Sequence, residues 1–163
     1  MSDADFEREI ERRLNTALRQ LSVLDNHLLA NDVNERSITH RLAVYLQQHF
    51  DGWDVDIEYD GFEQEPHHLG DLERQLTELG TAALVRDTDC RTVYPDIVVH
   101  HRATGDHLLV LEVKKSTSRV PDALDRAKLE GYKCDPKQGY RHACLVRLRV
   151  GEGDKERYAV EFV

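Results

Sequence analysis

The sequence contains no long hydrophobic run, and this limits where the protein can work. None of its apolar stretches approaches the roughly 20 residues that a membrane-spanning helix needs. The first ten residues, MSDADFEREI, are acidic, whereas a secretory signal peptide begins with basic residues and continues with apolar ones. The composition therefore predicts a cytoplasmic protein that does not act at a membrane.

Cysteine is also scarce. Cys90, Cys134 and Cys144 are odd in number and form no CxxC pair, so neither a disulfide framework nor a zinc knuckle is expected. Reduced thiols in or near the core are the expected state.

Basic residues are fewer than acidic ones. The chain has 22 Lys and Arg against 31 Asp and Glu, which gives a formal net charge of −9. Nonspecific DNA binding requires basic side chains to meet phosphates, so broad binding by the whole surface is disfavoured. A nuclease is still compatible with this balance, because a cleft can be locally positive and a bound metal or a partner subunit adds charge.

The 163 residues suffice for one domain with one core. Apolar residues at spacings of three and four predict one long helix over residues 3–29. Its apolar stripe fits two interpretations, packing on its own domain or contact with a protein partner or a second copy. A second helix is predicted over about 33–50, begun by a capping box of Asp32 and Glu35.

Strand patterns dominate the rest of the chain, apart from a helix that opens at Pro121 and a short helix predicted between Leu69 and Leu79. The predicted strands cover residues 53–59, 93–100, 108–114, 140–150 and 157–163. This order predicts an α/β domain whose central mixed sheet is flanked by helices. We divide the chain into an N-terminal helical extension, 1–31, and a domain, 32–163.

The predicted hairpin brings two acids together. Its turn centres near Thr104, so facing residues have numbers that sum to about 208, and Asp96 lies opposite Glu112. Lys114 shares the face of Glu112, because residues two apart in a strand point the same way. Facing acids between apolar neighbours destabilise a sheet unless a cation compensates. Carboxylate oxygens suit Mg²⁺ or Mn²⁺, so both acids are candidate metal ligands.

Lys114 would lie beside such a metal. A divalent ion polarises a phosphodiester and lowers the pKa of its bound water. Lys114 is therefore a candidate catalytic residue that orients this water, helps to deprotonate it, or stabilises the charge of the transition state.

Two short segments together resemble a known motif. Pro95-Asp96 is followed, sixteen positions after the aspartate, by Glu112-Val113-Lys114. This arrangement resembles the PD-(D/E)xK motif of the restriction-endonuclease-like nuclease superfamily. The order of elements around the motif is similar to that fold. The resemblance implies an Mg²⁺-dependent nuclease that cleaves DNA in preference to RNA. It also implies that Glu35, on the preceding helix, supports the metal and the catalysis, whereas the residues alone fit helix capping equally well. Some members keep the fold without activity, so a noncatalytic binding or assembly subunit of a nucleic-acid-processing or defence complex is the alternative.

Overall fold

The computed structural model describes residues 1–59, 94–136, 139–153 and 156–163, and these form a mixed α/β structure. The strands are β1 (Asp54–Ile57), β2 (Ile97–His100), β3 (His107–Lys115), β4 (His142–Leu148) and β5 (Tyr158–Phe162). The helices are α1 (Asp3–Leu24), α2 (Asn26–Ala30), α3 (Glu35–His49) and α4 (Asp122–Cys134). None of the helices in these ranges is both long and apolar enough to cross a membrane. The predicted α/β class with a central mixed sheet is confirmed.

The five strands form one sheet in the order β1-β2-β3-β4-β5. The pair β3–β4 is parallel, whereas the other three pairs are antiparallel. A parallel pair needs a crossover connection, and α4 supplies it by packing on β3 and β4. The C-terminal ends of β3 and β4 therefore lie at the same edge of the sheet as the start of α4.

The two faces of the sheet have separate cores. The α1 and α3 helices cover one face, where the odd-numbered side chains of β3, such as Leu109 and Leu111, are buried. The α4 helix covers the other face, where Leu129 and Tyr132 pack with Val110. Because Glu112 and Lys114 share the face of Val110, both point towards α4.

The apolar stripe of α1 lies inside the core of its own chain. Its buried residues are Ile10, Leu14, Ala17, Leu18 and Leu21. The structure thus shows own-chain packing, the first of the two interpretations of the stripe. The division of the chain at residue 31 stays a prediction from the sequence pattern.

The single helix predicted over 3–29 is wrong, because the chain breaks at Asp25 between α1 and α2. Asp25 has φ −118° and ψ 30°. Its Oδ2 accepts hydrogen bonds from Nε of Arg41 at 2.8 Å and from the hydroxyl of Tyr45 at 2.6 Å. The apolar spacing continues across the break, and so the sequence pattern does not reveal it.

The predicted capping box of Asp32 and Glu35 is also wrong. The N-cap of α3 is Asn34, whose side chain accepts from the backbone N–H groups of Arg36 and Ser37 at 2.8 and 3.4 Å. Asp32 instead has a positive φ of 47° and accepts from Nζ of Lys115 at 2.7 Å. Glu35 is consequently the first residue of α3. The sequence left helix capping open as a role for Glu35, but Asn34 has that role.

The first strand is shorter than its alternating pattern predicts. Glu58 has a positive φ of 45°, which ends β1 after Ile57. Trp53 packs against the core beneath α1 and α3, whereas Tyr59 packs against the core beneath α4. A strand that continued through residue 59, as the sequence predicts, would put Tyr59 on the face of Trp53, so the predicted end of this strand is wrong. The short helix predicted between Leu69 and Leu79 lies outside the described residues.

The register predicted for the hairpin is confirmed. The pairs Ile97–Leu111, Val98–Val110 and Val99–Leu109 each sum to 208, as a turn near Thr104 requires. The ladder is irregular only between Val99 and His100, close to the turn. Continued by one residue, the same register places Asp96 opposite Glu112.

The packing of α1 predicts a stability difference between two substitutions on one helix. Leu14 is 0% exposed and Val23 is 68% exposed. Leu14→Ala is expected to lower the free energy of unfolding by about 2–5 kcal/mol, because it leaves a core cavity. Val23→Ala is expected to change it by less than about 0.5 kcal/mol. Urea denaturation measures both, and equal effects would show that α1 is not part of the core.

Candidate functional site

Four carboxyl groups converge where β2 begins. They belong to Glu35, Asp96, Glu112 and Asp125, and we call them the acid cluster. Burial raises the pKa of Glu35, Asp96 and Glu112, and the charge of Asp125 adds a smaller rise to each. Four elements thus contribute to one site: the first turn of α3, the start of β2, the middle of β3 and the first turns of α4.

Asp96 is anchored at the open edge of β3. Because β2 begins only at Ile97, opposite Leu111, Val113 lies beyond the part of β3 that pairs with β2. Its backbone N–H donates to Oδ2 of Asp96 at 2.7 Å instead. The carbonyl of Asp96 accepts from the N–H of Glu58 at 3.1 Å, so backbone contacts hold the residue on two sides.

Glu112 is the most buried acid of the cluster, at 4% exposure. Its Oε2 accepts from Nζ of Lys128 at 3.4 Å. Its Oε1 is buried and has no hydrogen-bond partner among the described residues. A buried polar atom left in this way costs on the order of 1–3 kcal/mol. Oε1 of Glu112 therefore has unused capacity to accept from a donor or to bind a cation.

Burial makes these acids hard to ionise. It raises the pKa of Glu112 well above the usual range, and the charge of Asp96 adds to this while Lys128 opposes it. Burial raises the pKa of Asp96 to about 6, against the hydrogen bond from Val113 and the charge of Lys128. Two acids whose ionised forms both need compensation are typical of a site that binds a cation.

Glu35 lies at the same open edge of β3. It is half-buried. Burial raises its pKa, while the charge of Lys115 and a hydrogen bond from the backbone N–H of Lys115 oppose the shift. Glu35 and Asp96 thus accept from alternate N–H groups of β3, those of Lys115 and Val113. Glu35 therefore lies near Asp96, whose pKa its charge raises in addition to burial.

Lys114 lies on the predicted face of β3. Its ion-pair partners, however, are not the two acids of the motif. It is 7% exposed, and its Nζ lies 2.9 Å from Oδ1 of Asp122 and 2.8 Å from Oδ2 of Asp125. The cation in contact with Glu112 is Lys128, whose pKa the charges of Glu112, Asp125 and Asp96 raise against the opposing effect of burial. The structure therefore adds two residues of α4, Asp125 and Lys128, to the site.

The sequence carries only a weak signal for these two residues. Their spacing of three places them on one side of a helix, the side that also buries Leu129 and Tyr132. Charged residues with this spacing are just as common on solvated helix faces, so the pattern does not single them out.

The acid cluster fits a metal held by few protein ligands. Within the described ranges, no three His, Cys, Asp or Glu side chains are placed to hold an ion between them. Mg²⁺, however, usually binds through one or two carboxylates and keeps several waters, with substrate phosphate completing the shell. Asp96 and Glu112, with the unpartnered Oε1 of Glu112, offer that smaller set. Glu35 would then act on the water shell.

Comparisons of the chain with protein-family models, with curated proteins and with solved structures found no match.

The raised pKa of Asp96 predicts a pH-dependent effect of Asp96→Asn in the absence of divalent metal. The folded protein holds this proton up to about pH 6, whereas the ordinary carboxyl loses it near 3.8. The folded state is therefore destabilised as pH rises through this window. Asparagine keeps an acceptor for Val113 and carries no charge.

Asp96→Asn is expected to raise the free energy of unfolding at pH 8 by on the order of 1–3 kcal/mol, with the gain shrinking towards pH 4. Urea denaturation across this range measures it, with Asp51→Asn as the control at an exposed carboxylate. An equal loss of stability at both ends of the range would contradict the buried environment of Asp96.

Proposed function

We propose that the chain is a cytoplasmic nuclease that uses Mg²⁺, or Mn²⁺ in its place, to hydrolyse phosphodiester bonds of DNA in preference to RNA. The observation that carries this proposal is the burial of Glu112 beside Asp96, with Oε1 of Glu112 unpartnered among the described residues. The motif supplies the class of reaction, and the choice of DNA comes from the resemblance alone.

Asp96 and Glu112 are the residues that would hold the ion, and Glu35 would orient its water shell. When bound, the ion polarises the phosphodiester and makes its bound water a better nucleophile. Oδ2 of Asp96 accepts from the N–H of Val113, which fixes the carboxyl group, and Oδ1 would be the oxygen that binds the ion. Burial excludes bulk water, so charges in this site interact more strongly than they would at the surface.

Lys114 would donate one hydrogen bond to the reacting groups. An ammonium group has three N–H donors, and Asp122 and Asp125 take two of those of Lys114. The third is left for the attacking water or a phosphate oxygen. Asp125 is thereby a positioning residue, since it acts through Lys114.

Lys128 serves the cluster in a different way. In the metal-free protein its ammonium group partly compensates the charge of Glu112. A divalent ion at Oε1 of Glu112 would take over that compensation, and Lys128 would then meet the charge of the phosphate.

The alternative is a noncatalytic binding or assembly subunit with the same fold. The net charge of −9 favours it, as does the lack of a three-ligand group within the described ranges. Calorimetry with Mn²⁺ separates the two functions. A nuclease takes up the ion at a site that Asp96→Asn abolishes, whereas a noncatalytic subunit shows no such uptake.

Cleavage is the direct test of the proposed function. With Mg²⁺ or Mn²⁺, the protein is expected to cut plasmid or single-stranded DNA, and EDTA is expected to stop it. Asp96→Ala and Lys114→Ala are each expected to lower the rate by at least about 100-fold, because metal binding and charge stabilisation are lost. Glu130→Ala, an exposed position of α4, is the control.

Cleavage that survives both substitutions would falsify the assignment, and so would an equal rate in EDTA. Thermal unfolding of each variant checks that a lost activity does not reflect a lost fold.

The contact between Lys128 and Glu112 predicts a change in metal affinity. Lys128→Met removes the ammonium that lies 3.4 Å from Oε2 of Glu112. It is expected to tighten Mn²⁺ binding roughly tenfold, or about 1.4 kcal/mol, because the ion no longer competes with a resident cation. Lys133→Met removes the same charge from an exposed position of the same helix. Calorimetry that finds equal affinities for these two variants would exclude Lys128 from the site.

A further inference from the structure

A cavity of about 410 Å³ adjoins the acid cluster. It lies at the edge where β3 and β4 end, and Lys114 and Lys115 form part of its wall. Both residues also contact the acid cluster, Lys114 through Asp125 and Lys115 through its N–H to Glu35. Lys114 and Lys115 are therefore shared between the wall of the cavity and the acid cluster.

Basic side chains outnumber acidic ones in the lining of the cavity. Four basic residues line it, Lys114, Lys115, Arg147 and Arg149, against the two acids Asp122 and Glu156. The chain as a whole carries a net charge of −9. A basic group of this lining that has no acidic partner would be the point at which the cavity attracts an anion.

Ion pairs hold part of this basic wall in position. Nζ of Lys115 lies 2.7 Å from Oδ1 of Asp32. Arg147 lies 2.8 Å from Asp122 and 2.7 Å from Glu161. Arg149 differs from them, since it is exposed and its guanidinium makes no ion pair or hydrogen bond within the described ranges. Its donors are available to a ligand.

Two hydroxyl groups add neutral donors to the wall. The Oγ of Ser116 accepts from the N–H of Val150 at 3.1 Å, and the Oγ of Ser118 accepts from the N–H of Val120 at 3.3 Å. Each hydroxyl therefore keeps its hydrogen to donate. Basic groups with hydroxyl donors are the usual contacts of a nucleic-acid phosphate.

The size and lining of the cavity indicate an unpaired nucleotide. Its volume lies in the range of small-ligand pockets. Leu148 and Tyr158 supply an apolar portion of the wall, which suits a sugar or an unstacked base. A base inside a duplex is paired and stacked, and it does not enter a pocket of this kind without being flipped out.

We propose that this cavity binds a nucleotide of single-stranded nucleic acid, with its phosphate on Arg149 and the two serines, next to the phosphate held at the acid cluster. The class of ligand rests on the proposed nuclease function, whereas the binding itself does not require catalysis. The inference therefore assigns the chain a substrate with an unpaired stretch at the site of cleavage.

Fluorescence anisotropy of a labelled eight-nucleotide single strand in EDTA tests the proposal without cleavage. Arg149→Ala is expected to weaken binding about 5–10-fold and to lower the dependence of binding on salt. Arg19→Ala removes the same charge from an exposed position of α1 and is expected to change binding less than about twofold. The duplex of the same sequence and inorganic phosphate serve as competitors and are expected to displace the strand poorly.

The proposal is overturned if Arg149→Ala binds like wild type, if Arg19→Ala loses as much, or if the protein does not bind the strand. It is also overturned if the duplex or inorganic phosphate competes as well as the unlabelled strand does. A parallel cleavage assay in Mg²⁺ keeps the two proposals apart. If binding depends on Arg149 but no cleavage occurs, the nucleotide-binding cavity is supported and the nuclease function is refuted. If cleavage occurs but binding does not depend on Arg149, the nuclease function is supported and the nucleotide-binding cavity is refuted.

Discussion

The burial of Glu112 beside Asp96 is the constraint on which the rest of the site depends. Two acids in an apolar sheet are stable only if their charges are compensated or suppressed. The protein does both, because the pKa of Asp96 is raised to about 6 by burial and Lys128 lies 3.4 Å from Glu112. Because β2 begins only at Ile97, it does not pair with Val113, whose N–H donates to Asp96 instead and fixes its carboxyl group. One oxygen of Glu112 remains without a partner in the described structure.

The sequence predicts the hairpin well because strand geometry is local. A period of two and a turn near Thr104 suffice to place Asp96 opposite Glu112 and Lys114 on the same face, and the observed register agrees. The break at Asp25 and the start of α3 were not predictable in this way. They depend on contacts between distant elements, such as Asp25 with Arg41 and Tyr45. The pairing of Lys128 with Glu112 is of the same kind, since α4 must first dock on β3.

The function is argued from the site, because the same fold can serve different chemistry or none. An acidic chain needs a concentrated positive region to hold a phosphate chain. The cavity beside Lys114 supplies four basic residues at the one edge where the acid cluster also lies. The proposed metal ligands, the buried lysine and the proposed anion-binding wall would then serve one reaction, the hydrolysis of a phosphodiester.

The central claim is that a divalent ion belongs between Asp96 and Glu112. Anomalous diffraction from crystals soaked in Mn²⁺ tests it most directly. The account predicts an anomalous peak within about 2.0–2.6 Å of an oxygen of each residue, with waters in the remaining coordination positions. A soaked crystal with no peak at these two carboxyl groups, and with Lys128 still on Glu112, would contradict it.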